Sequence, residues 1–124
     1  MSLHVEFADG KTRYRPGEFV EGVAFWELAS APTAVEVRLF WQTAGKGTVD
    51  LEIAQTQRFD GIGAKDRRPF RLALPGSPYS VSGKLVSVVW SVEIVAEPKG
   101  DSVSADLVMS PTGDEVRIDR EEKP

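Results

Sequence analysis

Apolar residues recur at every second position through most of this chain. Leu3, Val5 and Phe7 alternate with His4 and Glu6, and Val35, Val37, Leu39 and Trp41 alternate with Glu36, Arg38 and Gln42. Phe70, Leu72 and Leu74 repeat the rhythm, and Val86, Val88, Trp90, Val92 and Ile94 line one side of the longest run. A period of two marks a strand with one buried and one wet face. The stretch 48–59 places Val49, Leu51 and Ile53 on one side and Asp50 and Glu52 on the other. Between Phe19 and Trp26 both sides are apolar: Phe19, Val23 and Phe25 on one, Val20, Ala24 and Trp26 on the other. This predicts a strand covered on both faces, with Gly22 marking a bulge or tight twist. Val103, Ala105, Leu107 and Met109 predict a further strand, and Val116 to Ile118 a short last one.

Turn residues separate these runs. Asp9-Gly10 predicts a hairpin returning through Thr12-Arg13-Tyr14, because glycine tolerates positive φ. Arg15-Pro16-Gly17-Glu18 predicts a type II turn, with Pro presetting φ and Gly supplying its positive value. Ala29 to Pro32, Ala44 to Gly47, Pro75-Gly76 and Pro98 to Asp101 punctuate the rest, and a charged, glycine-containing loop is expected from Asp60 to Pro69. No segment carries a helical period. Short strands at close spacing predict an all-β fold, a two-sheet antiparallel β-sandwich of immunoglobulin-like kind. Residues 1–118 form one domain in this reading, and the charged end, 119–124, is a frayed tail.

Composition narrows the function classes. The 124 residues suffice for one core without metals or staples. There is no cysteine, which excludes disulfides, thiolate metal sites and cysteine nucleophiles and suits a cytoplasmic setting. The N-terminus lacks the basic-then-apolar pattern of a signal peptide, and no apolar run is long enough for a membrane span. A net charge of −4 argues against nucleic acid as a partner.

Candidate chemistry is sparse. His4 is the sole histidine and has no partner set for a metal or a triad. Gly45-Lys46-Gly47-Thr48 is not a phosphate loop: Phe40 and Gly47 stand where that motif needs Gly and Ser or Thr. Asp50 and Glu52, about 7 Å apart along a strand, are a candidate cation or acid–base pair. Arg58, Lys65, Arg67, Arg68 and Arg71 gather around the expected 60–69 loop and are candidates for an acidic peptide or phosphate. Trp41 and Trp90 are assigned to the core, whereas Trp26, at a strand end beside Glu27, is a candidate partly exposed contact residue.

Two segments in order resemble the arrestin family. The first is Tyr14-x-Pro16-Gly17-Glu18-x-Val20-x-Gly22. The second runs from Phe70-x-Leu72-x-Leu74-Pro75 through Pro78-Tyr79-Ser80 and Gly83 to the strand 86–96, with Trp90 at its aromatic position. The resemblance covers roughly Leu3 to Met109 and implies one arrestin-like lobe, where arrestins have two. Phe7-Ala8-Asp9 stands where arrestins carry their phosphate-sensing lysine pair. The resemblance implies the fold; the two-sheet pattern with no site chemistry points to a non-enzymatic protein-interaction or scaffolding module that binds a protein partner by a sheet edge or an exposed patch, with a homodimer as one form and no cofactor. The alternative is a ligand-binding domain for an anion, acidic peptide or metal ion, using the basic residues 58–71 or the Asp50/Glu52 face.

Overall fold

A computed structural model describes residues 2–45, 50–83 and 86–117. Its strands are β1 (Ser2–Phe7), β2 (Arg13–Tyr14), β3 (Phe19–Glu27), β4 (Ala34–Gly45), β5 (Leu51–Asp60), β6 (Lys65–Ala73), β7 (Val81–Ser82), β8 (Val86–Glu97), β9 (Asp101–Met109) and β10 (Val116–Arg117). They form two sheets. The smaller has the order β1-β3-β6. In the larger, β8 lies between β4 and β9, β5 continues beyond β4, and β2 joins β9. The short β7 takes over from β9 beside β8 at Val88, and β10 pairs with β7. Among the described residues no helix is long and apolar enough to cross a membrane.

The core sits where the two inner faces meet. Val20, Ala24 and Trp26 of β3 and Phe70 and Leu72 of β6 oppose Val35, Val37 and Leu39 of β4 and Trp90, Val92 and Ile94 of β8. Burying side chains of this size contributes about 1.5–3 kcal/mol each. Both buried indoles satisfy their one donor. Trp26 donates to the Gly63 carbonyl at 3.1 Å and Trp90 to the Pro78 carbonyl at 2.7 Å. At Gly22 an added Cβ would lie 2.0 Å from the Glu6 carbonyl oxygen and 2.8 Å from Phe70 Cζ, so only glycine lets β1 approach β3 there.

Several expectations change at this level. Asp9-Gly10 makes a turn, with φ of 57° and 64°, but not a hairpin. The chain crosses between sheets there: β1 pairs with β3, and β2 pairs in parallel with β9. The turn at Pro16-Gly17 has its expected form, with Gly17 at φ 84° and Glu18 N donating to Arg15 O. Among the described residues no further layer covers the outer face of β3. His4 stacks on Phe25 at 4.7 Å, and Arg71 lies over Phe19 at 3.7 Å. The expected 60–69 loop shrinks to the turn 61–64, because Lys65 to Pro69 continue the edge strand β6. Leu51 and Ile53 point outward, 57% and 46% exposed. A bulge on β5, where Ala54 is the extra residue between the pairs Leu39–Gln55 and Phe40–Ile53, reverses the alternation of β5 there. The stretch 46–49 and the tail 119–124 lie outside the described residues.

Candidate functional site

An edge strand presents unpaired backbone groups, so each edge of a sandwich is a docking site unless something blocks it. Neighbouring residues of a strand point their backbone groups to opposite sides. One observed bond therefore fixes the direction of a whole strand.

The β6 edge is blocked. Leu74 N donates to Glu18 O at 2.9 Å, so even-numbered groups of β6 face β3 and odd-numbered ones face outward. Each outward amide from 67 to 73 is accounted for. Arg67 N donates to Asp66 Oδ1 at 2.7 Å, and Pro69 has no N–H. Arg71 N donates to Gln57 Oε1 at 3.1 Å and Ala73 N to Gln55 Oε1 at 3.2 Å. Two glutamines of β5 thus stitch the larger sheet to the smaller one along this side. The β5 edge itself is broken by the bulge opposite Leu39 and Phe40.

The β9 edge differs. Val108 N donates to Thr12 O at 2.8 Å and Ser110 N to Tyr14 O at 3.0 Å, so even-numbered groups of β9 face away from β8. β2 covers only the end, pairing at Val108 and Met109. Among the described residues the outward backbone groups of Ser102, Ser104 and Asp106 pair with no strand, because β1 belongs to the other sheet. Beside them lies a groove of about 440 Å³ lined by Ser2, Leu3, Leu28, Asp101, Ser102 and Val103. Val103 faces inward on β9, opposite Ile94, yet is 42% exposed. A second groove, about 230 Å³, adjoins it through Leu28 and Asp101 and is walled by Ala31, Pro32, Ala96 and Pro98.

The outer face beside this edge is acidic. Ser104 lies opposite Glu93, which lies opposite Arg38. The Arg38 guanidinium meets Glu36 at 2.7 Å, Glu97 at 3.6 Å and Glu93 at 4.0 Å. Arg58 meets Glu36 at 2.9 Å and Asp60 at 3.0 Å. Asp106 accepts a bond from the Ser91 hydroxyl at 2.7 Å, and among the described residues no cation pairs with it. Two guanidiniums therefore face five carboxylates. The Arg38 hydrogen bond, with that of Arg58, holds the Glu36 carboxyl below its ordinary value despite partial burial.

The sequence-derived candidates fall elsewhere. Alternation and sheet membership divide the five basic residues among three surfaces. Arg58 lies on the outer face of the larger sheet, and Lys65, Arg67 and Arg71 lie on the outer face of the smaller one. Arg68 lies at the seam, 3.1 Å from Asp66 and 5.9 Å from the Phe59 ring centroid. Arg67 lies over Phe25, and Arg71 pairs with Glu21 at 3.0 Å. A shallow depression of about 580 Å³ there is lined by Glu6 and Glu21 as well as Arg67 and Arg71, so its charges offset one another. Trp26, expected to be partly exposed, is 1% exposed and belongs to the core. Trp41 is only partly buried. Asp50 and Glu52 are exposed, and Asp50 N donates to Thr43 Oγ1 at 2.9 Å. Among the described residues no group of three His, Cys, Asp or Glu could hold a metal.

Sequence reasoning missed the β9 edge. A signal was present: Ser102-Val103-Ser104 carries neither the Lys nor the Pro with which natural edges are usually blunted. No family model matches the chain, and no curated protein matches it. Among solved structures it is similar to Spo0M, a sporulation control protein from Bacillus subtilis, with a TM-score of 0.66 and 18% identity. The match covers 88% of this chain and 49% of that one, so the chain spans about half the length of that structure. At this identity the likeness is one of fold, and the chain is a two-sheet β-sandwich of arrestin-like fold.

Proposed function

We propose that this chain is a non-catalytic protein-interaction module that takes an extended segment of a protein partner on the free edge of β9. The single observation that supports it most is the contrast between edges. The β6 edge has its outward amides from 67 to 73 capped or removed, while among the described residues Ser102, Ser104 and Asp106 have no backbone partner on their outward side, beside an exposed Val103. A segment laid there gains main-chain bonds for affinity and a groove for side-chain selection. The arrestin-like fold agrees with a regulatory or interaction role. Anion capture by the basic residues has less support, because they sit on three surfaces and Arg58, Arg68 and Arg71 each already meet a carboxylate.

Photo-crosslinking tests the reading. A crosslinking residue at Ser102 is expected to trap a discrete partner in the producing cell. Ser104→Pro, which blocks strand addition while removing no existing ladder bond, is expected to abolish the adduct. Adducts that survive Ser104→Pro unchanged would overturn the proposal.

A further inference from the structure

We infer that the segment taken by the β9 edge alternates apolar with basic residues. This rests on the edge reading above and adds the chemistry of the partner.

A strand added beside β9 sends alternate side chains to the two faces of the larger sheet. On the inner face the one beside Val103 enters the groove, where Leu3, Leu28 and Val103 offer an apolar wall beside Ser2, Asp101 and Ser102. On the outer face they lie beside Ser102, Ser104 and Asp106. The two serines are short, and Glu93 stands directly behind Ser104 on β8, about 4.8 Å further in by the usual strand spacing. A Lys or Arg side chain is long enough to lie across Ser104 and reach Glu93, and a neighbouring one meets Asp106. Glu36, Glu97 and Asp60 extend the same negative field across the sheet.

Charge also decides among occupants. A second copy joined through its own β9 would bring a second acidic face alongside the first, in a chain of net charge −4. An acidic segment meets the same repulsion. A basic one is attracted, and its attraction weakens with salt, since the Debye length is about 8 Å at physiological ionic strength.

The test uses the full chain and three capped octapeptides: alternating Lys and Val, alternating Glu and Val, and alternating Ser and Val. The Lys–Val peptide is expected to slow amide exchange at Ser102, Ser104 and Asp106 and to bind at least tenfold more tightly than the Glu–Val peptide. Its affinity should fall as salt rises. Ser104→Pro should abolish binding, and Asp106→Lys should narrow the preference for Lys–Val over Glu–Val severalfold. If all three peptides protect these amides equally, the edge reading stands and the basic chemistry is overturned. If none protects them, or Ser104→Pro binds as the parent does, the edge reading falls and this inference with it. Sedimentation showing a dimer that Ser104→Pro dissociates would make a second copy the occupant and overturn the basic partner.

Discussion

The two sheet edges at opposite corners of the sandwich, β6 and β9, receive opposite treatment from the sequence. β6 spends a proline, an aspartate and two glutamines of β5 on closing its outward amides. β9 places serines at equivalent outward positions, and among the described residues no strand pairs with their outward backbone groups over residues 102–106. Exposed edges invite non-specific strand pairing, so the capped β6 edge turns a partner strand away while β9 can accept one over residues 102–106. The difference also separates roles: the β6 side locks the two sheets together, and the β9 side is free to receive.

The largest effect should come from removing what anchors the closed side. Trp26 is fully buried and ties β3 to the turn between β5 and β6 through Gly63. Trp26→Ala is expected to lower stability by about 3–5 kcal/mol in urea unfolding. Next is the glutamine stitch. Gln55→Ala with Gln57→Ala should remove about 1–3 kcal/mol in total, and light scattering should show concentration-dependent association as the β6 edge opens. Proline placement then compares the edges directly. Arg71→Pro breaks the bond to Gln57 and should lower stability by about 1 kcal/mol or more. Ser104→Pro breaks no ladder bond and should change thermal stability by less than about 0.5 kcal/mol. Equal losses at the two positions would erase the distinction.

Smallest are the pH effects. Glu36 has a folded pKa below its ordinary 4.5. Its stabilisation is therefore complete above that value and lost as pH falls through the folded pKa. Tyr14, whose hydroxyl donates to Lys11 O, is raised from 10.0 to about 12 by burial first and by Glu18 and Glu21 after it. Its stabilisation is complete below 10 and lost as pH rises towards 12. Melting temperature against pH should fall at both ends, and Glu36→Gln should flatten the acid limb alone.

Much of the fold was legible because alternation is a local signal. The strands through Val35 to Leu39 and Trp90 to Ile94 face inward as their period requires. The turn at Gly17 follows from its own residues. Pairing was less legible. Asp9-Gly10 encodes a turn but not whether the next strand returns to the same sheet. Lys65 to Pro69 read as a loop because charge and proline disfavour a central strand, and both are acceptable on an edge whose outward amide is not needed. The candidate site was the least legible part. Arg67 and Arg68 are adjacent in sequence yet face opposite sides of a strand, and β5 and β6 lie in different sheets. An open edge, moreover, is defined by which strand is missing beside it.

Hydrogen exchange followed residue by residue on the unliganded chain tests the central contrast most directly. Strong protection is expected at the Arg71 and Ala73 amides, and exchange close to the unfolded rate at Ser102, Ser104 and Asp106. Protection at those three positions matching that of Arg71 and Ala73, or free exchange at Arg71 and Ala73, would contradict it.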